Sequence, residues 1–241
     1  MSRRVARFVA RKLAEIRKLS CGDVCRVTGL SAARLFGIPS ADERAKIAYV
    51  IRNSLYLNIT NRCSNRCTFC IRQSSDYVKG PRLWLDREPT AQEVVSAAGD
   101  VSGYDEVVFC GFGEPTLRLE VVKEVAREVK GRWGLRTRLD TNGQGSVING
   151  RDITGELVGL VDAVSVSLNA PDAATYEKLC RPTLPSAFAA VCEFVRACKG
   201  RIPTVRATAV AVPGLDLEAV RRLAEQDLGV AFEVREFNVV G

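Results

Sequence analysis

From about residue 54 onward, short apolar, β-branched runs alternate with amphipathic stretches of helical period. The six candidate strands are Leu55–Ile59, Glu106–Cys110, Arg136–Asp140, Ala163–Leu168, Thr204–Val212 and Phe232–Val239. The candidate helices between them are Thr90–Ala98, Glu120–Lys130, Asp152–Gly159, Ser186–Lys199 and Asp216–Gln226. Strands that alternate with helices form parallel βα units with right-handed crossovers. The sequence therefore predicts an α/β fold, best described as a partial (β/α)6 barrel, with a doubly wound sheet as the alternative.

Polar and glycine-rich segments follow the first three predicted strands. They are Asn61–Cys70, Gly111–Thr116 and Asp140–Gly143. Parallel α/β barrels carry their chemistry at the carboxyl ends of the strands. We therefore expect these segments to meet at one edge of the sheet and to form a single active site.

The first 40 residues differ from the rest of the chain in charge and in periodicity. They contain nine Lys/Arg and two acidic residues, which equals the whole net charge of +7. Apolar residues at helical spacing over residues 3–19, a helix start at Ser20 and a second N-cap at Ser31 predict two or three small helices. We expect a basic helical extension over residues 1–45 and a core domain over residues 50–241.

The chain has nine cysteines and no histidine, which excludes catalytic triads and metal sites that need histidine. Cys63, Cys67 and Cys70 form a C-x3-C-x2-C group in a polar loop, and such clusters in a reducing compartment indicate metal binding or catalysis. Cys180, Cys192 and Cys198 lie in helical stretches and are predicted to be small buried hydrophobic residues.

Three cysteines in this loop are compatible with two kinds of metal site. Structural zinc needs four ligands, typically two C-x-x-C pairs, and the loop has one such pair. Three thiolates could hold an iron–sulfur cluster with one iron open for chemistry. The alternative is a non-catalytic iron–sulfur or zinc protein in which Cys110 closes the site, although Val107, Val108 and Phe109 favour a wall position for Cys110.

The cysteine motif and the segments after the next strands resemble the radical S-adenosylmethionine (SAM) enzymes. The resemblance covers residues 54–241 and rests on C-x3-C-x2-C with Phe69, on Gly111–Pro115, on Thr141-Asn142-Gly143 and on Ser165–Asn169. Within that superfamily, "LYLNITNRCSNRCTFCIRQ", "LWLDREPT", "FCGFGEPTL" and "REFNVVG" resemble the TatD-associated radical SAM proteins.

The N-terminal extension resembles the last helices of TatD-type hydrolases. The matching segment runs from Thr28 to Gly37, with Ser31 where that family has asparagine. None of the metal ligands of that family lies there, so the resemblance implies a remnant or a fusion rather than hydrolase activity. A TatD-type hydrolase is therefore a candidate partner.

The resemblance implies a [4Fe–4S] cluster on Cys63, Cys67 and Cys70, with SAM as the second cofactor. The enzyme would cleave SAM reductively, and the 5′-deoxyadenosyl radical would abstract hydrogen from an unidentified substrate. The implied cofactor-binding residues are Phe69, Gly111, Gly113, Glu114, Pro115, Asn142, Ser167 and Asn169. Asp140, Arg235 and Asn238 are read from the sequence itself as candidate substrate contacts, with salt-bridged residues of the barrel wall as the equal alternative.

The resemblance and the composition also give expectations about partners. A reductant protein such as a flavodoxin or ferredoxin is expected to supply the electron. No apolar run approaches the roughly 18 residues of a membrane span, and no signal peptide is evident, so we expect a cytoplasmic protein without a membrane partner. The basic excess is confined to residues 1–40, where aromatic stacking groups are scarce, so a nucleic-acid partner is not expected. A basic nucleic-acid-binding arm over these residues is the alternative.

Overall fold

A computed structural model describes residues 3–17, 21–38, 44–78 and 81–237. The helices are α1 (Arg3–Arg17), α2 (Cys21–Leu35), α3 (Ala91–Ala98), α4 (Leu119–Trp133), α5 (Gly145–Ile148), α6 (Thr154–Leu157), α7 (Ala173–Cys180), α8 (Ala187–Cys198) and α9 (Leu217–Arg222). The strands are β1 (Ala48–Ile51), β2 (Ser54–Leu57), β3 (Glu106–Phe109), β4 (Arg136–Thr141), β5 (Ala163–Ser167), β6 (Thr204–Val210) and β7 (Ala231–Arg235). Within these ranges, no helix is both long enough and apolar enough to span a bilayer.

The seven strands form one sheet whose spatial order follows the chain from β1 to β7. The strands β2 to β7 are parallel to one another, and β1 pairs antiparallel with β2. A sequential order means that each crossover continues in the same direction, as in a barrel, whereas a doubly wound sheet reverses direction at its centre. The predicted partial barrel is therefore confirmed, and the doubly wound alternative is wrong.

The first strand of the sheet was not predicted. β1 and β2 form a hairpin through Arg52 and Asn53, and Arg52 adopts a left-handed conformation with φ of 56°. Tight hairpin turns are usually marked by Asn-Gly, Asp-Gly or another glycine pair. Because no glycine occupies this turn, the sequence contains no clear hairpin signal there.

Alternate residues of the parallel strands point to opposite faces of the sheet. One face packs against the helices in a continuous apolar core that includes Leu57, Phe109, Leu139 and Val166. The other face, called the inner face here, carries Tyr56, Glu106, Arg138, Asp140 and Ser165, which lie on neighbouring strands in matching register. The chemistry-bearing residues of the strands are therefore on the inner face.

The helix α7 was missed by the sequence analysis, which placed a single helix between β5 and β6. Asp172 caps α7 by accepting a hydrogen bond from the Thr175 N–H at 2.8 Å. Its buried residues are Tyr176 and Cys180, one turn apart. An eight-residue helix with two buried positions gives a weak periodic signal in the sequence, and this explains the omission.

Two predicted helices have different extents in the structure. The helix predicted over Asp152–Gly159 is reduced to the single turn of α6. Before it, the Asp152 carboxylate accepts from the Thr154 N–H at 2.9 Å, and after it Gly159 takes φ of 74°. The helix predicted over Asp216–Gln226 begins as α9 and continues as a π-helical turn over Leu223–Asp227. The predicted final strand ends earlier, at Arg235, and residues after Phe237 lie outside the described ranges.

The chain divides into two compact units. One unit contains Ile47–Cys70 with Leu85–Asn238, and therefore the whole sheet. The other contains Met1–Lys46 with Ile71–Trp84, and its helices α1 and α2 bury Ala14 and Val24.

The predicted N-cap at Ser31 is wrong. Ser31 lies inside α2, where its hydroxyl donates to the Val27 carbonyl at 2.8 Å. A serine hydroxyl bonded to the preceding turn is compatible with a helix interior, so α2 is one helix rather than two.

Candidate active site

The three clustered cysteines follow β2 in a loop over Cys63–Cys70, called the cysteine loop here. Each of the three is half-buried. The N–H groups of Arg66 and Thr68 donate to carbonyls at the end of α7, at 2.9 Å to Cys180 and 2.8 Å to Leu179. The last carbonyls of a helix have no N–H partner within the helix, so they can accept hydrogen bonds from the cysteine loop.

The Cys63 sulfur faces two N–H donors of the protein. The Asn65 backbone N–H lies 3.4 Å from it, and the Asn142 side-chain nitrogen lies 3.8 Å from it. Cys67 and Phe69 are partly buried and pack against the core of the sheet.

The donor set of the cysteine loop fits an iron–sulfur cluster by its chemistry. Three thiols with partial solvent access lie within eight residues, and N–H groups face one of the sulfurs. Over the described ranges, no group of three or more thiol or carboxylate side chains stands in the arrangement of a metal site.

Arg62 directly precedes the cysteine loop, and its guanidinium pairs with Glu88. The Nε–Oε1 distance is 2.7 Å, and the bond to Arg62 is the main reason why the pKa of Glu88 is lowered. Glu88 also accepts from Thr60 and Arg118, at 2.6 and 3.0 Å. This network ties the segment before the cysteines to the start of α4.

The two glycines of the segment Gly111–Pro115 are required by close packing within the protein. A Cβ at Gly111 would lie 2.8 Å from Cα of Asn58, and a Cβ at Gly113 would lie 2.5 Å from the Thr60 carbonyl oxygen. Neither distance is compatible with a side chain. The Glu114 N–H donates to the Arg62 carbonyl at 2.8 Å, so this segment lies directly against the approach to the cysteine loop.

Glu114 joins the ends of β3 and β4 through its buried carboxylate. One oxygen accepts from the Thr116 and Thr141 hydroxyls, both at 2.7 Å, and the other accepts from the Asn142 N–H at 2.7 Å. Burial raises the pKa of Glu114, and these hydrogen bonds oppose that effect. Pro115 is buried beside it at the start of a short 3-10 turn.

Asn142 connects the end of β4 to the cysteine loop. Its side-chain nitrogen donates to the Ser64 hydroxyl at 2.8 Å, and its side-chain oxygen accepts from the Gln144 N–H at 3.0 Å. Ser64, which the sequence did not single out, is thus a direct neighbour of a motif residue. Serine in a polar loop carries no pattern by which it could have been found.

Ser167 and Asn169 lie at the carboxyl end of β5. Ser167 is half-buried, and Asn169 is buried in a left-handed conformation with φ of 57°. The Asn169 side-chain oxygen accepts from the Val210 N–H at 3.1 Å, which links β5 to β6.

Two of the three candidate substrate contacts lie on β4 and β7, which β5 and β6 separate in the order of the sheet. Asp140 accepts from the Arg138 Nε at 2.8 Å on the inner face, where Arg138 also pairs with Glu106. Arg235 ends β7 and is exposed. Asn238 lies outside the described residues.

Cys110 follows β3 and differs from the loop cysteines in its electrostatic surroundings. Burial, together with the negative charge of Asp140, raises the pKa of its thiol to about 12. Its carbonyl accepts a hydrogen bond from the Tyr49 hydroxyl at 3.1 Å. In the metal-free protein, a thiol in this environment stays protonated at neutral pH.

Comparison with known proteins agrees with the motifs and the geometry. The family model described as the radical SAM superfamily matches residues 57–226, which is well over half of the chain. The chain belongs to the radical SAM superfamily. Membership supports SAM and a [4Fe–4S] cluster as the two cofactors, and it supports an enzyme.

Solved structures share the fold at low sequence identity. TYW1 with a lysine–pyruvate adduct bound aligns at a TM-score of 0.56 and 14% identity, over 78% of this chain and 66% of that one. Streptococcus suis SuiB bound to the precursor peptide SuiA aligns at 0.55 and 17%, over 91% of this chain and 45% of that one. SuiB bound to SAM aligns at 0.55 and 16%, over 97% and 51%.

This chain therefore spans about half the length of SuiB and just under two thirds of TYW1. Comparison with curated proteins gave no match.

Proposed function

We propose that the chain is a radical SAM enzyme whose cluster is held by Cys63, Cys67 and Cys70. The observation that carries this proposal is the cysteine loop itself. Its three half-buried thiols follow the first parallel strand, and Cys110, the cysteine that would close a four-ligand site, has a raised pKa. Three ligands leave one iron available for the amino and carboxylate groups of SAM.

When bound, the cluster and SAM supply a one-electron cleavage that yields a 5′-deoxyadenosyl radical for hydrogen abstraction. The protein's residues position both cofactors. Gly111 and Gly113 let the segment after β3 lie against the approach to the cysteine loop, and Glu114 fixes that segment to β4. Pro115, Phe69, Asn142, Ser167 and Asn169 complete the proposed SAM-binding set at the carboxyl ends of the strands.

We place the substrate on the inner face, near the carboxyl ends of β4 and β7. Asp140 offers a carboxylate there, and the exposed Arg235 offers a cation, so the proposed contacts favour a polar substrate with charged groups. Asn238 is a further proposed contact. The substrate itself stays unassigned.

The alternative is a non-catalytic protein with four cysteine ligands, closed by Cys110. It requires Cys110 to be a thiolate, and the surroundings of this thiol oppose ionisation. A Cys110→Ala protein separates the two proposals, because only the closed site loses its cluster when this thiol is removed.

At a finer level we propose membership in the TatD-associated group, on the strength of the cysteine loop and the segments around Glu88 and Glu114. The proposed electron donor is a flavodoxin or ferredoxin, and a TatD-type hydrolase is the proposed neighbour of the N-terminal extension. Cytoplasmic location belongs to the same proposal, because low-potential clusters and free thiols need a reducing compartment.

The test is anaerobic reconstitution with iron and sulfide, reduction with dithionite, and addition of SAM. The expected result is about four irons per chain and formation of 5′-deoxyadenosine that Cys67→Ala abolishes and Cys110→Ala retains. Iron binding without SAM cleavage, lost in Cys110→Ala, would instead support the closed four-cysteine site.

A further inference from the structure

A closed triangle of buried polar side chains joins the cysteine loop to two other elements. The Gln144 amide nitrogen donates to the Asn65 side-chain oxygen at 2.8 Å and to the Tyr176 hydroxyl at 3.0 Å. The Asn65 amide nitrogen donates to the same hydroxyl at 2.9 Å. Asn65 belongs to the cysteine loop, Gln144 to the turn after β4, and Tyr176 to α7, so the polar triad defines a three-way junction.

The polar triad is enclosed by the protein. Gln144 and Tyr176 are fully buried and Asn65 is 4% exposed. Buried polar side chains that are hydrogen-bonded to one another specify a single arrangement of the elements that carry them.

The need to stabilise the folded protein does not by itself explain why residue 144 is a polar glutamine. Its side-chain oxygen is buried and has no hydrogen-bond partner within the described part of the chain. An apolar side chain of the same size would fill the space without leaving such an oxygen unpaired. The two bonds donated by its nitrogen are therefore the reason for an amide at this position. One bond ends on Asn65, and the other ends on Tyr176, whose hydroxyl also accepts from Asn65.

Asn65 lies between two cysteines of the loop, and its own backbone N–H faces the Cys63 sulfur at 3.4 Å. Its neighbour Arg66 donates to the end of α7, and Asn65 itself pairs with Pro182 in an isolated β-bridge. Hydrogen bonds that hold the Asn65 side chain therefore also hold the Asn65 backbone N–H against the Cys63 sulfur. Hydrogen bonds to cluster sulfurs are one of the factors that set the reduction potential of iron–sulfur clusters.

We propose that Gln144 and Tyr176 are positioning residues for the cysteine loop. They hold Asn65 so that its N–H bonds to the Cys63 sulfur, and they thereby set the reduction potential of the cluster. This inference rests on the proposed function, because it concerns the cluster that Cys63, Cys67 and Cys70 would hold.

Two variants remove the polar contacts and keep the packing. Gln144→Met keeps the length of the side chain and removes both donors. Tyr176→Phe keeps the ring, which lies 5.7 Å from the Phe188 ring, and removes the hydroxyl. Phe194→Leu is the matched control, because Phe194 is a buried residue of α8 that has no polar contact with the cysteine loop.

The first readout uses the reconstituted protein and needs no substrate. Redox titration followed by electron paramagnetic resonance (EPR) is expected to show a more negative midpoint potential in Gln144→Met and Tyr176→Phe, because the sulfur loses a hydrogen bond. The double variant is expected to shift no further than the larger single shift, since both changes release the same asparagine. Phe194→Leu is expected to lower thermal stability and leave the potential unchanged.

The second readout uses the cluster-free protein, so it stays available if a variant does not bind iron. Hydrogen exchange of the peptide that spans the cysteine loop is expected to be severalfold faster in both triad variants and unchanged in Phe194→Leu. Unchanged exchange and, in loaded protein, an unchanged potential would overturn the positioning role.

A wild-type protein that takes up no cluster would contradict the proposed function instead. In that case the exchange measurement still decides whether the triad positions the loop.

Discussion

The cysteine loop carries three cysteines, and the helices α7 and α8 together carry another three. The two groups differ in burial and in electrostatic surroundings. Cys63, Cys67 and Cys70 lie close together in a polar loop and are half-buried. Cys180, Cys192 and Cys198 are buried in the core of the sheet and its helices. Burial raises the pKa of Cys198 to about 12 and also raises that of Cys192, whereas N–H donors face the Cys63 sulfur.

The comparison shows that residue type alone does not assign a cysteine its role. The loop cysteines lie within eight residues and are partly accessible, and N–H donors face the Cys63 sulfur, which suits ligands of a metal centre. The helical cysteines combine burial with apolar neighbours, which are the conditions for a small hydrophobic side chain.

The largest expected effect comes from exchanging one member of each group for alanine. Cys67→Ala is expected to abolish formation of 5′-deoxyadenosine, because the cluster loses one of three ligands. Cys192→Ala removes a thiol of the other group and is expected to keep the activity within a small factor. The measurement is product formation per iron in matched preparations. Equal loss in both variants would break the distinction between the groups.

The next effect concerns the glycine that lets the segment after β3 lie against the cysteine loop. Gly113→Ala is expected to lower the free energy of unfolding by about 2–3 kcal/mol, because its Cβ would overlap backbone that cannot move freely.

Gly131→Ala is the matched control for this glycine. Gly131 lies in α4 with open space around its Cα, and the change should stabilise the protein by about 0.5–1 kcal/mol. Denaturant unfolding of both variants tests the pair. A neutral Gly113→Ala would mean that the cysteine loop is not packed as described.

Alkylation rates give a direct comparison of the two groups in cluster-free protein at pH 8. Mass spectrometry is expected to show the loop cysteines modified roughly tenfold faster or more than Cys198, because accessible thiolates react and buried thiols do not. Binding of the cluster is expected to protect the loop cysteines selectively. Modification of all cysteines at one rate would contradict the structural contrast.

The smallest effect is the pH dependence that Cys198 contributes. Its pKa in the folded protein, about 12, lies above the ordinary value of 9.0, so ionisation favours the unfolded chain. The stability that the buried, protonated Cys198 thiol contributes to the folded protein is fully present below pH 9 and is lost as the pH rises toward 12. The stability difference between wild type and Cys198→Ala should therefore shrink over this interval, and a constant difference would show that this thiol is not buried as described.

The spacing of apolar residues in the sequence predicted most of the strands and helices. Most of the elements that it missed have a local explanation. All six predicted strands are present because β-branched runs bounded by turns form a strong signal. The strand β1 and the helix α7 were missed because each is short and lacks a strong marker. Ser31 was mistaken for an N-cap because a serine inside a helix and a serine before one look alike in sequence.

The site was predictable where spacing carries the information and not where tertiary packing does. The three loop cysteines form one short motif, and the helical spacing of apolar residues around Cys198 predicts that this cysteine is buried. In contrast, Gln144 and Tyr176 meet Asn65 only because the chain brings three separate elements together. The reason for Gly113 likewise depends on the Thr60 carbonyl, which no local pattern reveals.

The central claim is that the cysteine loop holds a cluster with an open iron for SAM. EPR spectroscopy of the reduced, reconstituted protein tests this most directly, with spectra recorded before and after SAM is added. The expected result is a cluster signal that changes on addition of SAM in wild type and in Cys192→Ala, and no cluster signal in Cys67→Ala. A cluster signal that SAM leaves unchanged, or one that persists in Cys67→Ala, would contradict the claim.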